Sequence, residues 1–543
     1  MNHTITFFRV AMIGVLTFSA CNTEELRDFS LNPQAVNEIN LNFFLTPALL
    51  SAASGGAMGD NRFIDWRTNI GMCSYAIQHL ASIGSFFDTG DKYMDRLGGR
   101  DYESFEAPFI SLYTDPLKNL AEIIKQTGPG GYDEGNNTNL KSAARIVRAF
   151  LFARLTDCYG SIPYFDALQA TTPVFYPKYD KQKDIYADIL NELEEASAEL
   201  DASNQSTNFK SADIIYNGDI EKWKRWGYSL MLRAAMKVSK ADPNLADIYV
   251  DKAVAGGVFT SKDDNVWVPM AIGPSSWVNQ NGISRAFYPG DGNQSPILSR
   301  TLVDLLKGAD PENTSDDDPR LMIISGGIFI WKPSGVTLIT ADPLAQKGMP
   351  NGMDGGTLQI YEGVTRPVPL DSTYSKVNYL MLQKESPYML MNYGEVELLL
   401  AEASERGLGG LSPSEAEEHY NKGVKASMQM YTPYNPTLTV SDEQVSTYLS
   451  MYPYNVSKHA LEMIGEQLWV NHFFNWWEAW ADWRRTGLPK LIPVNYPGNA
   501  TGGTIPQRLK YPNREVIGNP QFDEGSTQPD NLTTKLWFAG GPE

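Results

Sequence analysis

Cysteine, histidine and basic residues are scarce in this chain of 543 residues. It contains three Cys, five His, and 45 Lys and Arg against 64 Asp and Glu, so its formal net charge is −19. Three cysteines cannot form an extensive disulfide framework. The shortage of cations argues against non-specific binding to nucleic acid and against electrostatic docking on an anionic lipid surface, because both require clustered Lys and Arg. We therefore expect no nucleic-acid partner.

The signatures of several enzyme and metal sites are also missing. The five histidines show no pair at metal-ligand spacing, and there is no phosphate-binding loop, dinucleotide fingerprint or Gly-x-Ser-x-Gly turn. The run Asp316-Asp317-Asp318 clusters the oxygen ligands that Ca²⁺ prefers, but it lacks the spacing of an EF-hand. A loop that leads into a helix is the interpretation we favour, so the sequence predicts no metal and no cofactor.

The first twenty residues have the composition of a secretory signal. Arg9 precedes an apolar run over 10–18, which is too short to cross a bilayer as a helix and ends at Ser19-Ala20-Cys21. This ending resembles the lipobox of bacterial lipoproteins, in which the cysteine becomes the lipidated N-terminus. We therefore expect residues 1–20 to be removed, Cys21 to carry acyl chains, and residues 21–543 to form a single domain held at a membrane.

The residues after Cys21 bear on the location of the protein. The acidic pair Glu24-Glu25 resembles signals that send lipoproteins to the cell surface in one group of Gram-negative bacteria. No apolar stretch of 18 residues follows in the sequence. The prediction is a protein that is anchored by lipid in the outer membrane, does not cross it, and faces the cell exterior.

Apolar residues recur at helical spacing through much of the chain. One stripe steps by 3, 4, 4 and 3 residues through Ala144, Val147, Leu151, Leu155 and Cys158. The same spacing predicts helices over 181–200, 219–238, 389–406, 413–431 and 460–485. Paired helices of this length resemble tetratricopeptide (TPR) units, although the period is not a regular repeat of about 34 residues. The predicted fold is mainly α, a TPR-like scaffold of helix pairs with long irregular loop insertions.

Aromatic residues fall into two groups. The rings at 469, 473, 476, 480 and 483 step by 4, 3, 4 and 3 residues, which predicts a helical face that packs in the core. Cys73 and Cys158 lie in apolar stretches and are predicted to be buried thiols rather than a disulfide. Other rings lie in three irregular segments, 54–105, 257–300 and 325–387, and loops of this length are usually functional.

Carbohydrate binding needs flat aromatic faces for sugar C–H surfaces and polar groups for hydroxyls. The irregular segments offer both. The alternative is that these rings pin long loops to the core. The candidate ligand-binding residues are Trp66, Phe86, Phe87, Trp277, Asn279, Tyr288, Asp291 and Trp331.

Six stretches of the sequence resemble the SusD/RagB family and occur in the order typical of it. Residues 143–166 contain an Arg-rich helix and a Tyr-Gly-x-Ile-Pro-Tyr turn, and residues 218–253 contain Gly-Asp, a Trp and then Ser-Leu-x-x-Arg. The other four stretches are 316–321, 393–407, 466–489 and 505–519. The resemblance extends over nearly the whole chain.

This resemblance implies a surface-exposed lipoprotein that captures a nutrient and caps a SusC-like TonB-dependent outer-membrane transporter. Proteins of the family bind oligosaccharides in many cases and peptides in some, and they are not enzymes. We therefore expect an oligosaccharide-binding partner of such a transporter, with a peptide or another non-sugar nutrient as the alternative ligand. A surface glycoside hydrolase is a third hypothesis, since that chemistry needs only two carboxylates roughly 5–10 Å apart.

Overall fold

The structure is a computed structural model that describes residues 38–55, 60–96, 99–169, 175–204, 206–274, 277–456, 458–522 and 529–543. The chain divides after Leu41 into two units, and the second unit, Asn42–Glu543, contains every element discussed below. The predicted signal peptide and Cys21 lie outside the described residues. Within the described ranges, no helix is both long and apolar enough to cross a membrane.

The mainly α prediction is confirmed, because the described residues form twenty α-helices and only four short strands. The helices are α1 (Asn42–Ala53), α2 (Asp88–Asp91), α3 (Gly99–Thr114), α4 (Pro116–Thr127), α5 (Thr138–Tyr159), α6 (Gln182–Glu199), α7 (Thr207–Ala212), α8 (Ile220–Val238), α9 (Pro243–Gly256), α10 (Gly282–Phe287), α11 (Arg300–Leu306), α12 (Arg320–Ile324), α13 (Gly355–Tyr361), α14 (Leu370–Thr373), α15 (Tyr393–Arg406), α16 (Ala416–Met428), α17 (Asp442–Met451), α18 (Ala460–Asn471), α19 (Trp476–Thr486) and α20 (Asn513–Gly518). The strands are β1 (Val266–Val268), β2 (Ile328–Lys332), β3 (Gly335–Thr340) and β4 (Tyr388–Met391).

Helix pairs form the scaffold. Helix α5 packs against α6, α8 against α9, and α15 against α16, and the pairs are connected because α8 also contacts α6 and α15. The side chain of Asp219 accepts a hydrogen bond from the backbone N–H of Lys222 and so caps α8. Trp223 and Trp226, one and two turns into that helix, are completely buried. The apolar face of α8 therefore packs against the neighbouring helices, as its spacing predicts.

The single helix predicted over 460–485 is wrong, because two helices, α18 and α19, occupy this range. Between them, Phe474 has a φ of 76°, a left-handed conformation that interrupts a helix. The interruption positions the indole Nε1 of Trp476 to donate a hydrogen bond of 3.0 Å to Nδ1 of His79. The prediction that the rings of this region pack in the core is confirmed for Trp469, Phe473, Trp476 and Trp480, which are at most 2% exposed.

The segments predicted to be irregular contain more regular structure than expected. Strands β2 and β3 form a hairpin, and β1 pairs antiparallel with β4. Segment 54–105 contains a π-helix, Asp65–Ser74, a rare conformation that is found frequently at functional sites. Cys73 lies on this π-helix and Cys158 lies in α5; both are buried and free, as predicted.

Charged side chains are buried together where α5, α8, α15 and α19 meet. Lys237 Nζ lies 2.6 Å from the Glu478 carboxylate and also contacts Asp157. Arg485 forms a two-pronged pair with Glu402 at 2.6 and 2.7 Å. Burial alone would raise the pKa of Glu402, but the charge of Arg485 outweighs it and lowers the pKa to about 2. These ion pairs hold the helix pairs in a fixed arrangement.

Candidate functional site

The candidate site is centred on Asp291, which follows helix α10. Its carboxylate contacts three cations from distant parts of the chain: Arg62 through Nη1, Arg285 through Nε at 2.9 Å, and Lys384 through Nζ at 3.2 Å. Burial alone would raise the pKa of Asp291, but the hydrogen bonds and charges of these three cations outweigh it and lower the pKa. The carboxylate is therefore ionised at neutral pH and links three segments of the chain.

A second carboxylate, Asp60, completes the charge network. It lies 2.8 Å from Nε of Arg62 and 3.1 Å from Nη1 of Arg285. The side chain of Arg285 is 1% exposed, whereas those of Arg62 and Lys384 are 16% and 26% exposed. Three cations and two carboxylates leave one positive charge, and the network reaches solvent through Asp60, Arg62 and Lys384.

Asn281 brings Lys384 to this network. As the N-cap of α10, its side-chain oxygen accepts a hydrogen bond of 3.0 Å from the N–H of Ser284. Its Nδ2 donates to the carbonyl of Ser386 at 3.0 Å, and its backbone N–H donates to the carbonyl of Lys384 at 2.7 Å. One residue thus starts the helix that carries Arg285 and fixes the loop that carries Lys384.

The buried carboxylate of Asp65 stabilises the site from the protein interior. It accepts hydrogen bonds from Ser54 at 3.0 Å, Asn69 at 3.1 Å and Tyr388 at 2.7 Å, so the π-helix is joined to the end of α1 and to β4. Complete burial raises the pKa of Asp65 to about 6 in spite of these hydrogen bonds. Gly282, the first residue of α10, lies so close that a Cβ atom would be 2.6 Å from Oδ2 of Asp65. A larger residue at 282 would separate α10 from the π-helix.

Trp66 and Phe86, two of the predicted ligand-binding residues, stack on each other. Their ring centroids are 5.1 Å apart and their planes are inclined by 20°. The guanidinium of Arg62 lies 4.5 Å from the centroid of Trp66, and that of Arg67 lies 4.9 Å from the centroid of Phe86. Cation–π contacts of this kind hold a guanidinium in place. Trp66 and Phe86 therefore fix the two guanidinium groups, and each of the two rings has an arginine against it.

Phe87 differs from its neighbour, because it belongs to the core. It is 3% exposed and stacks on Tyr75 with a centroid distance of 4.8 Å. Its ring meets Phe86 edge to face at 4.9 Å. Phe87 therefore supports Phe86 and presents no surface to a ligand, so we do not include it in the site.

Trp277 is the most exposed ring of the predicted set, with half of its surface open to solvent. The guanidinium of Arg285 lies 5.4 Å from its centroid, which connects it to the charge network. Asn279 shapes the loop that presents this ring: its Nδ2 donates to the carbonyl of Gly273 at 3.2 Å, and its own carbonyl accepts from the N–H of Ala271 at 2.7 Å. Asn279 thus has a structural role beside the platform.

Tyr288 and Trp331 extend the site on the side of Lys384. Their rings meet edge to face with centroids 5.2 Å apart, and Trp331 also contacts Tyr379 at 6.3 Å. Lys384 Nζ, which pairs with Asp291, lies 5.0 Å from the centroid of Tyr288. The β2–β3 hairpin therefore brings Trp331 to the same cluster as the residues of α10.

Together these residues form one continuous cluster, which we call the Asp291 surface. It offers ring faces and edges for apolar contact, and it offers fixed charged groups that can exchange hydrogen bonds with ligand hydroxyls. Asp60, Arg62, Arg285 and Lys384 were not among the candidate ligand-binding residues from the sequence, since none of them lies in a motif or a periodic pattern. The Asp291 surface consists of Asp60, Arg62, Trp66, Phe86, Trp277, Arg285, Tyr288, Asp291, Trp331 and Lys384.

Comparison with known sequences gives one family. The profile of a SusD-like family, described as starch-binding and associating with outer membrane, matches residues 33–512. This range covers most of the chain, including every residue of the Asp291 surface. Among curated proteins, no sequence matches the chain.

Solved structures share the fold over almost the entire chain. A chitin-binding protein is 29% identical, with a TM-score of 0.75, and covers 92% of this chain and 100% of its own. A SusD-like protein described as Bacteroidetes AC2a is 25% identical, with a TM-score of 0.76 and the same coverage. A chitin-binding SusD homolog from Flavobacterium johnsoniae is 22% identical, with a TM-score of 0.68, and covers 92% of this chain and 98% of its own. The last of these supports the fold alone.

Proposed function

The chain belongs to this SusD-like family of starch-binding proteins that associate with the outer membrane, and on that basis we propose that it binds a glycan at the Asp291 surface and delivers it to a SusC-like TonB-dependent transporter. SusD-like proteins are binding proteins and not enzymes, which excludes the glycoside hydrolase hypothesis. The ionised Asp291 agrees with a binding role, since a carboxylate with a lowered pKa accepts hydrogen bonds and does not donate protons at neutral pH.

One observation favours a glycan as the ligand: aromatic rings and charged side chains from three irregular segments meet around the carboxylate of Asp291. Trp277 offers a half-exposed ring next to Arg285, and the Arg62, Asp291 and Lys384 groups of the same network are held by ion pairs before a ligand arrives. Fixed groups lose little entropy on binding, which favours affinity for a hydroxyl-rich ligand. The chitin-binding relative at 29% identity supports the same class of ligand.

The proposal places the protein on the cell surface through acyl chains on Cys21. Each buried methylene contributes about 0.8 kcal/mol, so several chains give a firm anchor. Labelling of growing cells with an alkyne-bearing palmitate analogue tests this point. Label is expected in the native chain and absent after Cys21→Ala, whereas an unlabelled native chain, or a variant with undiminished label, would overturn lipidation at that residue.

The ligand is tested by titrating the full chain with starch and chitin oligosaccharides and with a set of peptides, in a detergent without a sugar headgroup. Trp277→Ala is expected to weaken glycan binding at least tenfold, about 1.4 kcal/mol. Phe43→Ala is the matched control, since Phe43 is 71% exposed on α1 and is not part of the Asp291 surface. Binding of peptides alone would favour the alternative ligand, and equal affinities of the two variants would show that the surface is assigned wrongly.

Delivery to the transporter is tested by co-purification. Affinity capture of the native chain from outer membranes is expected to retain a TonB-dependent receptor in stoichiometric amount. Absence of any such receptor after chemical crosslinking in intact cells would overturn this part of the proposal and leave glycan binding unaffected.

A further inference from the structure

A cavity of about 280 Å³ lies between the loop after α11 and helices α16, α17 and α18. Its lining includes three tyrosines, an ion pair and two further carboxylates: Tyr420, Tyr448, Tyr452, Lys458, Glu466, Asp316 and Asp318. None of the residues that line it belongs to the Asp291 surface. We call this cavity the tyrosine pocket.

A buried hydrogen-bond network fixes one wall of the tyrosine pocket. Arg320 is completely buried and holds Asp318 through two contacts of 3.0 and 2.6 Å. It also donates to Oε1 of Gln467 at 2.7 Å, and Nε2 of Gln467 donates to the Tyr448 hydroxyl at 3.0 Å. Because that hydroxyl oxygen acts as an acceptor here, its own hydrogen is directed away from Gln467 and can serve a ligand.

The other charged groups of the lining already have partners. Lys458 Nζ contacts both carboxylate oxygens of Glu466, at 2.6 and 2.7 Å, and the two side chains are 45% and 21% exposed. Asp316 accepts the backbone N–H groups of Ala309 and Asp310 at 3.0 Å each through Oδ2, whereas its buried Oδ1 accepts no hydrogen bond from the described residues. The pocket therefore keeps one carboxylate oxygen that can accept a hydrogen bond from a ligand hydroxyl, and this negative charge disfavours an anionic ligand.

The pocket is lined by both apolar surface and polar groups. The ring centroids of Tyr448 and Tyr452 lie 5.0 Å apart, and Leu305, Met463 and Val470 add apolar side chains to the lining. A neutral ligand with a flat apolar face and several hydroxyl groups matches this combination, because the face can lie on a ring while Tyr448, Lys458 and Glu466 exchange hydrogen bonds with the hydroxyls.

We propose that the tyrosine pocket is a second carbohydrate site, which takes a single sugar unit such as the end of a glycan chain. Its volume lies just below the range of about 300–1,000 Å³ that is typical of small-molecule sites, so it is matched to one ring and not to a longer segment. This inference rests on the proposed function for the class of ligand. It differs in position and in the length of ligand from the Asp291 surface.

The test uses the full chain and two saturation-transfer NMR titrations, one with monosaccharides and one with hexasaccharides of the starch and chitin series. Ala309→Trp closes the pocket, since Ala309 is exposed and forms part of its lining. The matched control is Ala255→Trp, which places the same ring at an exposed position of α9 outside the pocket. Tyr448→Phe removes the hydroxyl and keeps the ring, and it carries the test if Ala309→Trp fails to fold.

Monosaccharide binding is expected to weaken at least tenfold in Ala309→Trp and at least threefold in Tyr448→Phe, and to stay unchanged in Ala255→Trp. Equal monosaccharide affinity in Ala309→Trp and Ala255→Trp would overturn the second site. Binding of hexasaccharides without monosaccharides would overturn the second site alone, whereas failure of both series with the native chain would overturn the proposed function as well.

Discussion

Replacement of Asp291 by Asn tests whether the ion pairs around this residue organise the site. The substitution keeps the shape of the side chain and removes the charge that Arg62, Arg285 and Lys384 share. Arg285 retains Asp60 and Asn61 as partners, whereas Lys384 loses the one carboxylate that it contacts in the network. We therefore expect a modest loss of stability and a larger loss of affinity.

The magnitude follows from the burial of the four groups. Breaking a fully buried ion pair costs about 3–5 kcal/mol, and an exposed pair contributes about 0–1 kcal/mol. The side chains here are 12% exposed for Asp291, 16% for Arg62, 1% for Arg285 and 26% for Lys384, so the site lies between these limits. We expect the free energy of unfolding to fall by about 1–2 kcal/mol. Glycan affinity should fall by about 10–100-fold, because the arginine and lysine groups are no longer fixed before binding.

Urea denaturation and glycan titration at pH 7 measure the two effects. Asp304→Asn is the matched control, since Asp304 is 66% exposed and its contact with Arg300 is 3.9 Å long. The control should change the free energy of unfolding by less than about 0.5 kcal/mol. If Asp291→Asn matched the control in both stability and affinity, the ion pairs would not organise the surface, and our assignment of its central residue would be refuted.

Two further predictions concern buried charges. Lys237→Met should lower the free energy of unfolding by about 3–5 kcal/mol, because Asp157 and Glu478 lose a buried counterion. The control Lys118→Met, at an exposed position, should have little effect in the same urea denaturation assay. Complete burial raises the pKa of Asp91 to about 7 despite its hydrogen bonds, so its contribution to stability is present below about pH 4 and is lost as pH rises toward 7. Asp91→Asn removes this contribution, so the slope of the free energy of unfolding against pH should become more positive between pH 4 and 7, by the equivalent of up to about one proton released on unfolding. An unchanged pH profile would contradict this prediction.

The helical scaffold could be predicted because its signal is local and repeated. The stripe through Ala144 and Cys158 and the cap at Asp219 depend on residues three or four positions apart. The break between α18 and α19 could not be predicted in this way. It depends on Phe474 in a left-handed conformation and on a hydrogen bond between Trp476 and His79, residues almost 400 positions apart. A periodic aromatic face is equally compatible with one helix or two.

The sequence predicted the types of residue in the candidate site better than their arrangement in space. Long segments rich in aromatic residues indicated Trp277 and Trp331, and both lie in the cluster. The sequence did not distinguish Phe86 from Phe87, although one contacts Arg67 and the other is buried against Tyr75. Whether Phe86 or Phe87 is buried depends on which of them faces the π-helix, and a sequence of two identical adjacent residues does not indicate this.

The net charge of the whole chain and the net charge of the Asp291 surface differ in sign. A net charge of −19 argues against polyanionic partners, yet the Asp291 surface carries three cations against two carboxylates. Charges on a solvated surface are screened within about 8 Å at physiological ionic strength, so a ligand bound at the Asp291 surface as proposed would respond to the charged groups of that surface and not to distant acidic residues. Each cation of the surface faces a carboxylate, so on the proposed assignment hydrogen-bond geometry would select the ligand more than charge does. Under this condition a strongly acidic protein would be able to bind a neutral glycan.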